Sequence, residues 1–205
     1  VNAVIDAELD SASRAAVQTE AQARAVAGAV ADPELPYLDL DDLGVLREVR
    51  VTGPGRIRVT VTPTFLGCPA TAVIQHDIET ALREQGWADV DVTLVHSPAW
   101  TPDRISDRGR AKLAAEGYGI PARGGATGGP VPVTIGPGPV DSSPASFGSS
   151  RSAALPLACP QCGAADTAVL SPFGATACME MRRCTSCGEP FPALRPVDHL
   201  GSGPA

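Results

Sequence analysis

Cys159-Pro-Gln-Cys162-Gly163 is followed, after 21 residues, by Cys184-Thr-Ser-Cys187-Gly188. Each Cys-x-x-Cys forms a tight knuckle, and the glycine behind it lets the backbone turn. Two knuckles present four thiolates as a tetrahedron, which suits Zn²⁺, although a [4Fe–4S] cluster also takes four cysteines. Residues 166–171 and 179–183 lie between the knuckles and can pair as a hairpin, giving a zinc ribbon over 158–192. A segment of about 35 residues is too short for an adequate hydrophobic core, so metal binding is expected to fold it.

The remaining cysteines are Cys68 and Cys178. Cys178 lies six residues before Cys184, outside the knuckle spacing, and is not expected to bind the ribbon metal. It reads either as a free thiol exposed on the hairpin or as a buried one. The first 30 residues carry Asp6, Glu8, Asp10, Arg14, Glu20 and Arg24, which leaves no room for the apolar stretch of a signal peptide. No run approaches the length of a membrane span. A cytoplasmic protein with reduced, metal-binding cysteines is the expectation. The net charge of −7 argues against nucleic acid and anionic membranes as partners, because both need a basic face.

Residues 121–157 separate two structured parts. Gly, Pro and Ser fill 20 of these 37 positions. So little apolar side chain cannot offset the entropy of ordering, so a flexible linker and two independently tumbling domains are expected. Residues 193–205 read as a disordered tail.

Within 13–120 the hydrophobic period alternates. Ala23, Val26, Ala27 and Val30 mark one face of a helix over 13–31, which Asp32-Pro33 stops. Val45, Val49 and Val51, the turn at Thr52–Gly55, and Ile57, Val59 and Val61 predict a hairpin. Pro69 opens a second helix with Ile74, Ile78, Ala81 and Leu82 on one side, ended by Gly86. Val90, Val92 and Leu94 form a third strand, and a third helix runs from Thr101-Pro102 to Gly117. This is an α+β domain: a small mixed sheet with helices on one face.

Cys68 follows the second strand and precedes Pro69. A helix N-terminus there would stabilise a thiolate; the alternative is a small buried hydrophobe. Asp32-Pro-Glu34-Leu-Pro36 places two carboxylates between prolines, either as hard ligands beside the thiol or as a solvated helix stop. Trp100 reads as a core residue at the end of the third strand, His76 as a surface residue, and His96 as a structural histidine near the same end of the sheet. The chain lacks the Glu and Glu-x-x-His pairs of a diiron bundle and a Gly-rich dinucleotide loop with its acidic partner.

Asp32-Pro-Glu-Leu-Pro, Leu43-Gly-Val-Leu, Thr64 with Gly67-Cys68-Pro69, and Pro98-Ala-Trp100-Thr-Pro-Asp103-Arg-Ile-Ser form one ordered set. The set resembles the iron–sulfur assembly domain family that includes SufT-like proteins. Joined to a ribbon with Phe173-Gly-Ala-Thr-Ala-Cys178 and Cys187-Gly-Glu-Pro-Phe191, it resembles the auxiliary subunits of the ring-1,2-phenylacetyl-CoA epoxidase of aerobic phenylacetate degradation. The resemblance implies that Asp32, Glu34, Thr64 and Cys68 share a metal- or cluster-handling site. It implies structural Zn²⁺ at Cys159, Cys162, Cys184 and Cys187, and transient iron or an iron–sulfur cluster as cargo. The implied partners are the other epoxidase subunits, and a homodimer is left open. The implied role is non-catalytic, in maturation of the metal centres; the alternative is a stable structural or regulatory subunit. Phe65 stands where many relatives have Thr, and the tail holding His199 matches nothing in the pattern.

Overall fold

The computed structural model describes residues 19–65, 67–124 and 157–195. The first helix, α1, is described over 19–28; the expected start at 13 lies outside the described residues, as do 125–156 of the expected linker and 196–205 of the tail. Strands β1 (Leu46–Gly53), β2 (Arg56–Val61) and β3 (Asp89–Leu94) form one sheet in the order β1-β2-β3. β1 and β2 are an antiparallel hairpin, with Val49 opposite Val59 and Val51 opposite Ile57. β3 joins β2 in parallel, with Val59 beside Val92, because α3 (Thr71–Glu84) crosses back between them.

Alternation decides which face is covered. Ile57, Val59, Val61, Val90 and Val92 are buried. Their neighbours carry charge to solvent, where Arg58 Nε meets Asp91 Oδ2 at 2.7 Å. Ile74, Ile78 and Leu82 lie at i, i+4, i+8 along α3 and are buried, as are Ala23 and Ala27 of α1. At about 1.5–3 kcal/mol for each large aliphatic side chain, this burial is the main force holding helices to sheet.

Two local expectations are corrected. α3 begins at Thr71 rather than at Pro69. The expected third helix divides into a 3₁₀ turn (Pro102–Arg104) and α4 (Asp107–Ala115), because Ser106 is extended and its hydroxyl accepts the Gly109 N–H, starting a new helix. A short helix, α2 (Leu40–Leu43), escaped the sequence reading although Asp39 caps it by accepting the Asp42 N–H at 2.7 Å. α2 is pinned twice. Trp100, fully buried as expected, donates from Nε1 to the Leu43 carbonyl at 2.7 Å. Asp42, with no exposed surface, accepts from Ser106 Oγ at 3.0 Å, Arg108 Nε at 2.5 Å and Lys112 Nζ at 2.6 Å.

β4 (Thr167–Ser171), β5 (Met179–Cys184) and β6 (Pro190–Leu194) form a second antiparallel sheet in that order. Its own core is small: Leu157, Cys159, Cys184, Phe191 and Ala193. The expected independence of the two parts is corrected. Cys178, Met179 and Leu194 are buried in one cluster with the residues of the first domain. The Gly119 N–H donates to the Pro192 carbonyl at 2.8 Å, and the Gly119 carbonyl accepts the Leu194 N–H at 3.1 Å. Glycine leaves room for this approach: a Cβ at 119 would lie 2.6 Å from Leu157 Cδ2 and 2.7 Å from Phe191 Cε2, so those side chains would have to shift. Both ends of the presumed linker are packed too, since Leu157 is in the ribbon core and the buried Pro121 accepts from Arg110 through its carbonyl. Ala193 and Leu194, assigned from sequence to the tail, are buried strand residues. No helix among the described residues is long and apolar enough to cross a membrane.

Candidate metal-handling site

The ribbon brings the Sγ atoms of Cys159, Cys162, Cys184 and Cys187 within 4.8 Å of one another. Cys159 and Cys187 are 3.8 Å apart through sulfur, and Cys162 and Cys184 are 3.6 Å apart. Four sulfurs placed tetrahedrally about one ion at a 2.3 Å bond length stand about 3.8 Å from each other, so the cage fits a single metal ion. A cubane cluster would spread the same sulfurs over four irons, farther apart than observed. The Cys187 N–H points at Cys184 Sγ at 3.5 Å. Backbone N–H groups from Cys187 and Ser186 hold the Cys184 thiol down at about 6, against the opposing effect of burial. Cys178 stands outside this cage.

The second site lies between the two sheets. Asp32, Glu34, Thr64 and Cys68 all line one cavity, and so do Thr62, Thr71 and, from the ribbon, Cys178 and Leu194. Leu35, Leu43, Val45, Val61, Ile74 and Leu94 make its walls apolar. Its volume is ≈ 20 Å³, room for one water-sized guest.

Asp32 has two tasks here. Oδ1 accepts the N–H groups of Glu34 and Leu35 at 2.9 and 2.8 Å, which bends the loop after α1, and the same buried carboxylate borders the cavity. Burial pushes its pKa up, against the pull of those two N–H groups. Glu34 is also raised, by burial and then by the charge of Asp32. Cys68 sits before α3, and its carbonyl accepts from Thr71 Oγ1 at 2.9 Å. Of the two readings of Cys68, the structure supports the buried thiol: burial, with Glu34 and Asp32 adding to it, raises this thiol despite N–H groups from Ala70 and Thr71. The helix starts too late, and too close to two carboxylates, for its dipole to prevail.

Cys178, left open in sequence between an exposed and a buried thiol, is the buried one, and its place at this cavity was not read from the sequence. It is buried, stands 3.0 Å from Thr176 Oγ1, and directs its thiol at Glu34 Oε2 across 3.9 Å. Burial, with Glu34, Asp32 and Cys68 contributing, pushes its thiol up to about 11. A fifth cysteine immediately before a ribbon strand, in a motif whose four ligands were already complete, was the available signal. Neither His76 nor His96 takes part. His76 is exposed on α3, and His96 borders a separate shallow pocket with Thr64, Phe65 and Trp100.

These features define a class: an α+β domain with an acid-and-thiol cavity, closed by a four-cysteine metal ribbon. Residues 20–94 match the family model of the iron-sulfur cluster assembly protein, and residues 143–195 match that of the PaaD zinc beta ribbon domain. A candidate 1,2-phenylacetyl-CoA epoxidase component from Escherichia coli is 35% identical over 164 residues, 79% of this chain and 84% of that protein. The first domain alone is similar to smaller proteins. The Fe-S protein maturation auxiliary factor SufT of Staphylococcus aureus is 38% identical, over 38% of this chain and 88% of its own length. The auxiliary factor YitW of Bacillus subtilis is 32% identical, over 42% and 85%. The chain belongs to the PaaD family of phenylacetyl-CoA epoxidase components.

Proposed function

We propose that this chain is a cytoplasmic, non-catalytic accessory subunit of the ring-1,2-phenylacetyl-CoA epoxidase that assists maturation of its iron or iron–sulfur centres. Asp32, Glu34, Thr64 and Cys68 are the handling site, and the ribbon's four cysteines hold structural Zn²⁺. The observation that carries this reading is the cavity itself. A ≈ 20 Å³ space lined by carboxylates and thiols suits one ion and is far too small for an acyl-CoA. The size also favours single iron ions over an assembled cluster as cargo. The relatives agree in kind, since the first domain resembles named Fe-S maturation factors and the whole chain resembles an epoxidase component. The four-sulfur cage has no open position, as a structural zinc site requires.

A second reading, a stable structural or regulatory subunit, draws on the burial of Cys68, 8% exposed with its thiol raised. The two separate in cells. Cys68→Ser keeps the shape and removes the soft donor. Under the maturation reading it abolishes growth on phenylacetate and lowers the iron content of the partner subunits. Normal growth with fully loaded partners would leave only the structural reading.

A further inference from the structure

We propose that the ribbon supplies a ligand to the other domain's site: Cys178 and Cys68, with Glu34, bind one thiophilic divalent transition-metal ion in the cavity between the domains. The inference rests on the maturation reading and extends it, because Cys178 lies outside the assembly domain altogether.

Among the described residues the cavity is lined by two thiols, two carboxylates and three threonines, and by no Lys, Arg or His. Four acidic groups enclosed without a basic one leave a cation as the natural complement. Cys178 Sγ and Glu34 Oε2 are 3.9 Å apart. A sulfur and an oxygen bound tetrahedrally to one ion stand about 3.5 Å apart, so the pair needs to close by only a few tenths of an ångström. Thr62 gives an independent indication. It borders the same cavity, is 1% exposed, and its hydroxyl oxygen has no hydrogen-bond partner. A buried hydroxyl in that condition is costly unless a guest satisfies it.

The remaining donors stand too far apart to form a finished cage: the ribbon cysteines are the one group of three or more such ligands converging within 4.8 Å among the described residues. The composite site therefore closes on its ion. Binding replaces two S–H protons, so M²⁺, two thiols and the Glu34 carboxylate give a complex of charge −1 and two protons. The two thiols belong to different domains, so the ion also ties the ribbon to the sheet.

The test uses the full chain with zinc already in the ribbon and Co²⁺ as the probe. Wild type should take up one further equivalent, release two protons, and show sulfur-to-cobalt charge-transfer absorption. Cys178→Ser and Cys68→Ser should each halve that absorption and weaken binding at least tenfold, with ribbon zinc unchanged by metal analysis. Cys178→Ala serves as a second variant should the serine disturb the buried contact. If both Cys178 variants bind Co²⁺ with wild-type affinity and absorption while Cys68→Ser does not, Cys178 is no ligand and the proposal is overturned, with the maturation reading intact. Absence of any second equivalent in wild type also overturns the two-thiol site. The growth phenotype of Cys68→Ser then judges the maturation reading on its own.

Discussion

Asp42→Asn removes one charge and almost no volume, at a carboxylate with no exposed surface. Burial alone would raise the pKa of Asp42, but hydrogen bonds from Lys112, Arg108 and Ser106 outweigh it and hold the carboxyl at about 2. An unfolded aspartate titrates near 3.9, so the native state gains a little under two pKa units, about 2 kcal/mol at neutral pH. The folded pKa is the lower one. The contribution is thus fully present above about pH 4 and is lost as the pH falls towards 2. Breaking a buried pair costs up to about 5 kcal/mol when the surviving charge stays buried, but Arg108 and Lys112 are 62% and 37% exposed and can rehydrate. The expected loss is therefore about 2–3 kcal/mol. Urea unfolding followed by tryptophan fluorescence measures it, because Trp100 donates to Leu43 on the same short helix. With a slope of about 1–3 kcal/mol per molar, the midpoint should fall by about 1–2 M at pH 7, and the gap between variant and wild type should narrow towards pH 2. A loss below about 0.5 kcal/mol, or parallel pH profiles down to pH 2, would refute the reasoning. The consequence reaches the cavity, since Leu43 and Val45 are two of its walls.

Metal analysis of the purified chain should find one tightly held zinc per ribbon, and Cys159→Ser or Cys184→Ser should lose it together with the ribbon's resistance to protease. Retention of stoichiometric zinc by either variant would contradict the four-sulfur cage. Gly119→Val should separate the domains, because its side chain must displace Leu157 and the Phe191 ring, which pack beside Cys159 and Cys184 in the ribbon core. Alkylation of Cys68 and Cys178 should then accelerate at least tenfold, with zinc content measured alongside to separate loss of docking from loss of the cage; equal alkylation rates in variant and wild type would mean that the ribbon does not shield the cavity.

Sequence reasoning located what is written in local pattern. The burial of Ile74, Ile78 and Leu82 and the β1–β2 hairpin follow from period and turn chemistry, and the four-cysteine cage from spacing alone. It failed where two distant segments decide the outcome. α2 is one turn long, too short for a period, although Asp39 before it and Gly44 after it are ordinary cap residues. The Asp42 cluster joins residues 64 to 70 positions apart in the chain. Its trace in the sequence was Lys112, the only lysine present. Gly119 went unread as a docking point, because nothing near it in sequence announces Phe191.

The same distance explains why position alone left Cys68 undecided. Read along the chain, it precedes a helix and fits either a poised thiolate or a small buried residue. Read in space, it faces Glu34 and Asp32, with Cys178 brought in from 110 positions away. All four groups have raised pKa values, and each is raised by burial before any other cause. A cavity that disfavours its own anions does not hold a cation as a saturated cage does: every deprotonation needed to bind must be offset by the ion itself. In the ribbon, backbone N–H groups hold Cys184 down, whereas Cys162 and Cys187 are raised, neighbouring thiols and burial outweighing the backbone N–H groups there. Under the maturation reading the cavity has the property required: an ion bound by Cys68 and Cys178 would stay under pressure to leave, as a factor that passes metal to another subunit needs.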